Sequence, residues 1–485
     1  PPVLFAIPME QQTHNNKIDQ KVFEELCDAI GRENVLDNIE ERVCSPFDTS
    51  EGKSIPDLVI TPHSTEQVSS LLSIANKHSI PICPQWAWTG LSGGDVPVKS
   101  GISLDLKNMN RIEPLNARDL TVTVEPGVVI KDLQDEVAKS RLFYPPELGS
   151  AGFSTIGGRV AESTGGMIGM KYGVTREYVL AMEIVLPDGS VINTGRKTLK
   201  SVAGYDLTRF FVGSEGTLGV LTKITLKLLP MPEKIGTVIS FFSDIDSALN
   251  ATDSILIKNH LHVRSLEFAD KICIDAIRES TEGEIPEEVG ALLLIDVDGN
   301  EKNVANDISR IDALCRENSA LNTSIANTDE KRNTLWDIWK SISPSLFKVN
   351  SMEFNEDCSA PRSKVKEALK KVYELGKAHS LQVAAFGNVG EGHVHLSVIC
   401  NNGKVVDVPV NNLISQIFKD VVSVSRSNRS AQGVGDTKSE YIGLELAPHE
   451  IEIMRDLKRM FDPKSIMNPG KTFGNSSVHR NTHYK

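Results

Sequence analysis

The sequence predicts an α+β protein with a break near residue 230, and three observations predict it. From Pro56 onward, short apolar runs of strand length alternate with segments whose apolar residues recur at helical spacing. Pro230-Met231-Pro232 interrupts the pattern, because two prolines so close stop both helix and sheet. Beyond it the alternation resumes, with more charged helices. A length of 485 residues agrees, since about 150 residues per domain gives roughly three structural units. The expected partition is a lead-in over 1–55, a first α+β domain over 56–230, a second over 231–440 and a closing segment over 441–485.

Each element has its own signal. The lead-in is polar and reads as helix-bearing. Leu58-Val59-Ile60 is strand-like, and Ser64 with Gln67 makes a capping-box pattern ahead of Val68, Leu71, Leu72 and Ala75, which share one helical face. Ile80-Pro81-Ile82-Cys83 returns as a strand. Ile102, Leu104 and Leu106 alternate with Ser103 and Asp105, and Val122 and Val124 with Thr121 and Thr123, the mark of half-buried strands. Ile130, Leu133 and Val137 recur at helical spacing, and Leu221 to Leu229 closes the first domain as a strand. Gly236 to Phe242 and Ala291 to Val297 read as strands of the second domain. Ile453, Leu457 and Phe461 mark one face of a last helix before Asp462-Pro463.

Composition excludes several function classes. Acidic residues outnumber basic ones by 64 to 52, a net charge of −12, whereas general nucleic-acid or anionic-membrane binders need excess Lys and Arg. No apolar run spans a bilayer and the amino terminus carries no secretory pattern, so the expected location is soluble and cytoplasmic, a removed targeting peptide aside. The seven cysteines are scattered and form no Cys-x-x-Cys pair, which leaves zinc-ribbon, iron–sulfur and thioredoxin chemistry without support.

Four glycine-rich stretches stand out: Thr89-Gly90-Leu91-Ser92-Gly93-Gly94, Thr155-Ile156-Gly157-Gly158, Thr164-Gly165-Gly166 and Gly213-Ser214-Glu215-Gly216-Thr217-Leu218-Gly219. Glycine lets backbone N–H groups close on a phosphate, so several such stretches in a strand-rich unit favour a large phosphate-bearing cofactor over plain turns. The last stretch precedes a strand rather than a helix, which removes a Rossmann site. Gly470-Lys471-Thr472 imitates the end of a P-loop, but Ser465 stands where its first glycine belongs.

The order of these motifs, from about Asp57 to Phe473, resembles the FAD-linked oxidase family of D-lactate dehydrogenase and the glycolate oxidase FAD subunit. Further residues carrying the resemblance are Val124-Glu125-Pro126-Gly127-Val128, Leu142-Phe143-Tyr144-Pro145-Pro146, Lys171-Tyr172-Gly173-Val174-Thr175-Arg176, Ala203-Gly204-Tyr205-Asp206-Leu207 and Asn468-Pro469-Gly470-Lys471. The resemblance implies a PCMH-type FAD-binding domain of two α+β subdomains, of the vanillyl-alcohol-oxidase fold, plus an α+β cap that holds substrate. It implies FAD wrapped at its pyrophosphate by Trp88, Thr89, Gly90, Leu91 and Ser92. Glu147, Gly149, Thr155, Ile156 and Gly158, then Thr164 and Gly165, would run along the flavin and ribityl chain, with Tyr172 nearby. Glu215, Gly216, Gly219 and Val220 would meet the adenosine end, and Asn468 would return to the flavin from the tail. The implied reaction is hydride transfer from a hydroxy acid or alcohol to flavin, with electrons passing on to an acceptor protein or quinone.

The substrate half departs from the family. The motif His-Ala-Gly-Asp-Gly-Asn-Leu-His stands here as Asn388-Val389-Gly390-Glu391-Gly392-His393-Val394-His395, so the last histidine is kept and the first is lost. Where the family has Gly-Glu-His-Gly-Ile-Gly, this chain has Ser430-Ala431-Gln432-Gly433-Val434-Gly435, and Gln432 cannot take a proton near neutral pH. Trp339 replaces the arginine expected to hold a substrate carboxylate, and the lysine expected before Asp357 falls near Asn355. Trp86 and Trp88 occupy glycine positions of the pyrophosphate loop, either stacking on a ring or pointing into the core. The catalytic candidates are His395, His393 and Gln432, and the two histidines make no metal site without a third ligand. His393 and His395, two apart on one strand, are read as facing opposite sides. An electron-relay flavoprotein subunit and a catalytically degenerate scaffold of the same fold are the alternatives.

Overall fold

Local chemistry sets the first elements of the protein, known from a computed structural model describing residues 18–45, 54–90, 92–146, 149–258, 261–278, 285–326, 328–349, 353–399, 416, 417, 419 and 433–473. Ser64 Oγ accepts from Gln67 N–H and starts the helix Thr65–His78, whose Val68, Leu71, Leu72 and Ala75 are buried as the spacing predicts. The Gln67 side chain closes the other half of the cap one residue early, accepting from His63 N–H at 2.6 Å. This helix connects β2 (Leu58–Ile60) to β3 (Ile82–Gln85), and both run parallel to β4 (Ile102–Asp105) between them. β1 (Val35–Leu36) adds an antiparallel edge. The alternation in β4 suggested one wet face, yet all its residues are buried, Ser103 and Asp105 included. A parallel strand with neighbours on both sides is covered on both faces.

A second, antiparallel sheet has the order β5-β9-β7-β8, from β5 (Thr121–Val124), β7 (Val179–Val185), β8 (Val191–Gly195) and β9 (Val220–Lys227). The helices Ile130–Ala138 and Ile156–Glu162 bury Ile130, Leu133, Val137, Ile156 and Val160 in its core. Pro230 ends β10 (Leu229–Pro230), a two-residue edge paired with β6 (Leu142–Phe143), where a missing N–H is tolerated.

After Pro232 a seven-stranded antiparallel sheet of the order β14-β11-β13-β12-β16-β17-β15 begins at once, built from β11 (Lys234–Phe242), β12 (Val263–Asp270), β13 (Ala291–Gly299), β14 (Ala320–Ala326), β15 (Glu353–Ser359), β16 (Gln382–Asn388) and β17 (His393–Ile399). Alternate residues of β13 feed two cores: Leu293, Ile295 and Val297 pack with the helices Ile245–Lys258, Glu301–Glu317 and Val365–Ala378, and Leu292 packs with Lys271–Arg278 and Ile342–Val349.

The tail then returns to the first sheet. Ile82 and Met467 form a parallel bridge, Ile82 N–H donates to Ile466 O and Asn468 N–H to Ile82 O, each at 2.7 Å. The helix Pro448–Phe461 lies mostly in solvent: of the face the sequence suggested, Leu457 and Phe461 are half-buried and Ile453 is 48% exposed. Phe461 anchors its end on Phe210 and Phe211, with ring centroids at 5.6 and 5.4 Å. No helix among the described residues is long and apolar enough to cross a membrane.

Candidate functional site

The glycine-rich turns of the first two sheets and the β16–β17 end of the third face each other across a cleft of about 450 Å³. On the first side lie Trp86, Thr89, Gly90, Gly149, Thr155 and Gly158, followed by Thr164, Gly165 and Gly166. On the other lie Trp339, Phe386, Asn388, Glu391, His393 and His395, with Glu267 from β12.

The first side is rigid for local reasons. Thr89, Ser154 and Ser150 join their hydroxyls in a chain, at 3.0 and 2.8 Å, which ties two glycine turns together. Arg159, buried at 3% exposure on the helix Ile156–Glu162, donates from Nη2 to Gly165 O at 2.6 Å, and Thr175 Oγ1 donates to Thr164 O at 2.8 Å. Trp86 packs into the core: a Cβ on Gly157 would fall 2.5 Å from its ring, so only glycine lets this helix close on the indole. Trp88, at φ +52°, turns aside to Lys107, whose Nζ lies 5.7 Å from its ring centroid, and does not line the cleft.

The tail braces the glycine turns from behind. Glu215, expected at the adenosine end, accepts from the N–H groups of Val434 and Gly435 at 2.6 and 2.7 Å. Asn468, expected at the flavin, donates to Gly94 O at 3.1 Å and to Glu215 O at 2.8 Å. Lys471 donates to Gly93 O. Ser92 is buried, and its carbonyl accepts from Asp436 and Thr437 N–H. Ile156 and Val220 are core residues, Gly216 packs on Pro84 and Trp86, and at Gly219 a Cβ would meet Val185 O at 2.8 Å. Tyr172 donates to Asp298 of the third sheet at 2.7 Å, beside Lys171 and Arg264 on the same buried carboxylate. None of these lines the cleft. Leu91, Glu147 and Gln432, with Ala431, lie outside the described residues.

The other side is an aromatic wall. Trp339 meets Phe386 at 6.0 Å, Phe386 meets His395 at 5.0 Å and His395 meets His393 at 4.4 Å between ring centroids. Both histidines line the cleft, which corrects the expectation of opposite faces: the pleat alternates at every residue, so positions two apart share a face. Asn388 Nδ2 donates to Met167 O at 3.0 Å. Two carboxylates complete this side. Burial pushes Glu391 up to about 7, and burial with the nearby Glu391 charge pushes Glu267 up to about 8.

Sequence reasoning missed Arg159, Glu267 and Glu391. The signal for Arg159 was a lone cation between the small and apolar residues Ile156 to Gly158 and Val160-Ala161, and for Glu267 a carboxylate between Leu266 and Phe268. For Glu391 the signal was an acidic residue within the Asn388-to-His395 motif, between Gly390 and Gly392.

The cleft fits the FAD that the resemblance implies. At Gly149 and Gly165 a Cβ would enter open space, so bare backbone faces the cleft there. Trp86 Nε1, Thr164 Oγ1 and Asn388 Oδ1 are buried at its walls with no hydrogen-bond partner in the protein, one donor and one acceptor beside a hydroxyl that can be either.

Comparison with known proteins agrees. Residues 56–195 match the model of an FAD binding domain, and residues 231–472 that of the FAD linked oxidases, C-terminal domain. The chain is 35% identical over 465 residues to the glycolate oxidase subunit GlcD of Bacillus subtilis, covering 96% of this chain and 99% of that one. It is 30% identical over 466 residues to a D-lactate dehydrogenase of Anaerostipes hadrus, covering 94% and 98%. In fold it is similar to p-cresol methylhydroxylase with substrate bound, at a TM-score of 0.77 and 17% identity, covering 95% of this chain and 97% of that one.

Proposed function

Because the chain belongs to the FAD-linked oxidase family and is therefore an FAD-dependent oxidoreductase, we propose that it oxidises the hydroxyl-bearing carbon of a small hydroxy acid or alcohol. The observation that carries this reading is the cleft itself, where glycine turns of the FAD-binding part oppose a wall of proton-accepting and aromatic side chains. FAD, when bound, supplies the two-electron acceptor for a hydride.

The chain's own residues do the rest. Backbone N–H groups of Thr89-Gly90 and Gly165-Gly166 hold the cofactor's anionic part, with the Arg159 cation below them. Thr164, Trp86 and Asn388 offer it the remaining hydrogen bonds. The domains divide the work, 56–230 binding cofactor and 231–440 binding substrate, with the tail closing the cofactor side. Trp339 and Phe386 present rings where the family has a carboxylate clamp, which favours an uncharged alcohol or a hydroxy acid with an apolar body over lactate. His393 and His395 flank the reacting hydroxyl, and a separate protein or quinone takes the electrons.

The test is anaerobic mixing of the purified FAD-bound protein with D-lactate, glycolate, D-mandelate and benzyl alcohol, followed by visible absorbance. Bleaching is expected with at least one, and faster with the apolar members than with lactate. A spectrum that stays oxidised with all four, yet bleaches with a reduced partner protein, would replace this reading with electron relay.

A further inference from the structure

The proposed function rests on a hydroxyl losing its proton, and the position from which the family would supply a base carries Gln432 here. The cleft contains other acceptors. Asn388 takes no proton. The His395 ring is sandwiched between Phe386 and His393. Glu267 is 3% exposed and its Oε1 already accepts from Ser265 Oγ at 3.1 Å. Glu391 differs from these three, and from His393, whose ring lies edge-to-face against His395 at 4.4 Å. It sits in the turn joining β16 to β17, fixed by its N–H to Asn388 O at 3.0 Å. Its carboxylate accepts from the Met170 backbone, and its Oε1 is shielded from bulk water with no hydrogen-bond partner in the protein. At Gly169 a Cβ would lie 2.5 Å from that oxygen, so the glycine is what lets the carboxylate occupy this place.

We propose that Glu391 is the proton acceptor of this site. As the carbonyl forms, the O–H bond breaks and its proton goes to the Glu391 carboxylate. The C–H bond breaks with both electrons, and that hydride goes to the flavin oxidant. A base works best when its affinity for protons matches the working pH, which burial has arranged for Glu391 at about 7. Glu267, held up to about 8, keeps its proton while Glu391 ionises, the usual division of labour in a carboxylate pair. The other charged or titratable groups lining this cleft are His393 and His395 on β17, Asp95, Arg159 and Glu162 across the cleft, and Lys340. Lys171, next to Met170, is committed to Asp298.

The experiment compares FAD-bound wild type, Glu391→Gln and Glu391→Asp by anaerobic stopped flow, using the fastest substrate of the panel above. Glu391→Gln should keep its flavin spectrum and half-saturating substrate concentration while flavin reduction slows about 100-fold or more. Wild-type reduction should rise with pH through about 7, and the residual rate of the Gln variant should lack that rise. Should Glu391→Gln fail to fold, Glu391→Asp carries the test, reducing flavin at least about tenfold more slowly with the same pH dependence. On FAD-free wild type, side-chain carboxyl NMR should show a glutamate titrating near 7 that is absent from a foldable variant. A Gln or Asp variant within about threefold of wild type at every pH overturns the assignment and leaves the proposed function standing. A wild type that no substrate reduces overturns both.

Discussion

Glu215 holds the N–H groups of residues 219 and 220 positions further along the chain, through a carboxylate that is 5% exposed. Hydrogen bonds to an ionised acceptor in such a place are among the stronger ones, and an amide there would turn an NH2 group on one of the two N–H donors. Glu215→Gln should therefore lower stability by about 1.5–3 kcal/mol, measured by denaturant unfolding. FAD should bind more weakly, because Val434 and Gly435 adjoin Asp436 and Thr437, whose N–H groups hold Ser92 O in the first glycine turn. A motif glutamate beside glycines reads from sequence as a ligand contact; nothing local tells that its partners come from the tail.

At the scale of elements, the contact between the cofactor part and the cap runs through the short helix Gly169–Tyr172. Lys171, Tyr172 and Arg264 converge on Asp298, whose side chain is fully buried. Tyr172→Phe should cost about 1 kcal/mol. A double-mutant cycle between Tyr172→Phe and Asp298→Asn should show coupling of at least about 0.5 kcal/mol, and additive losses would mean the two act independently. Most strands and helices here were legible from period and capping, Thr65–His78 above all. One reading failed on packing and another held only in part. β4 alternates in sequence but is buried on both sides by its parallel neighbours, and on the helix Pro448–Phe461 the expected face holds at Leu457 and Phe461 but not at Ile453, because only the end of the helix reaches the aromatic pair Phe210 and Phe211. The histidine pair failed on geometry alone: a two-residue step along a strand preserves the face.

Across the whole molecule, two buried carboxylates with raised proton affinity make stability pH-dependent in an unusual direction. The unfolded chain releases the Glu267 proton near its ordinary 4.5, whereas the folded protein keeps it to about 8. Between those values the folded state binds more protons, so this contribution falls as pH rises. Glu267→Gln should leave the melting temperature unchanged at pH 4 and raise it relative to wild type increasingly up to pH 8, with a slope of at most about 1.4 kcal/mol per pH unit. Equal curves at all pH values would show that Glu267 titrates normally. The fold class was legible, and the glycine turns at Thr89-Gly90, Thr155, Gly158 and Thr164-Gly165 do line the cleft, whereas Glu215 to Val220 and Asn468 turn to the core or the tail. The other wall depends on which side chains a seven-stranded sheet gathers, a matter of strand order rather than motif.

The tail's bonds to Gly93, Gly94, Ile82 and Glu215 also carry a meaning in time. A ribosome finishes the first glycine turn long before it has made Asn468 and Lys471, so the nascent chain holds its cofactor loops unbraced through most of its synthesis. A product ending before Asn468 lacks this last fastening of the glycine turns.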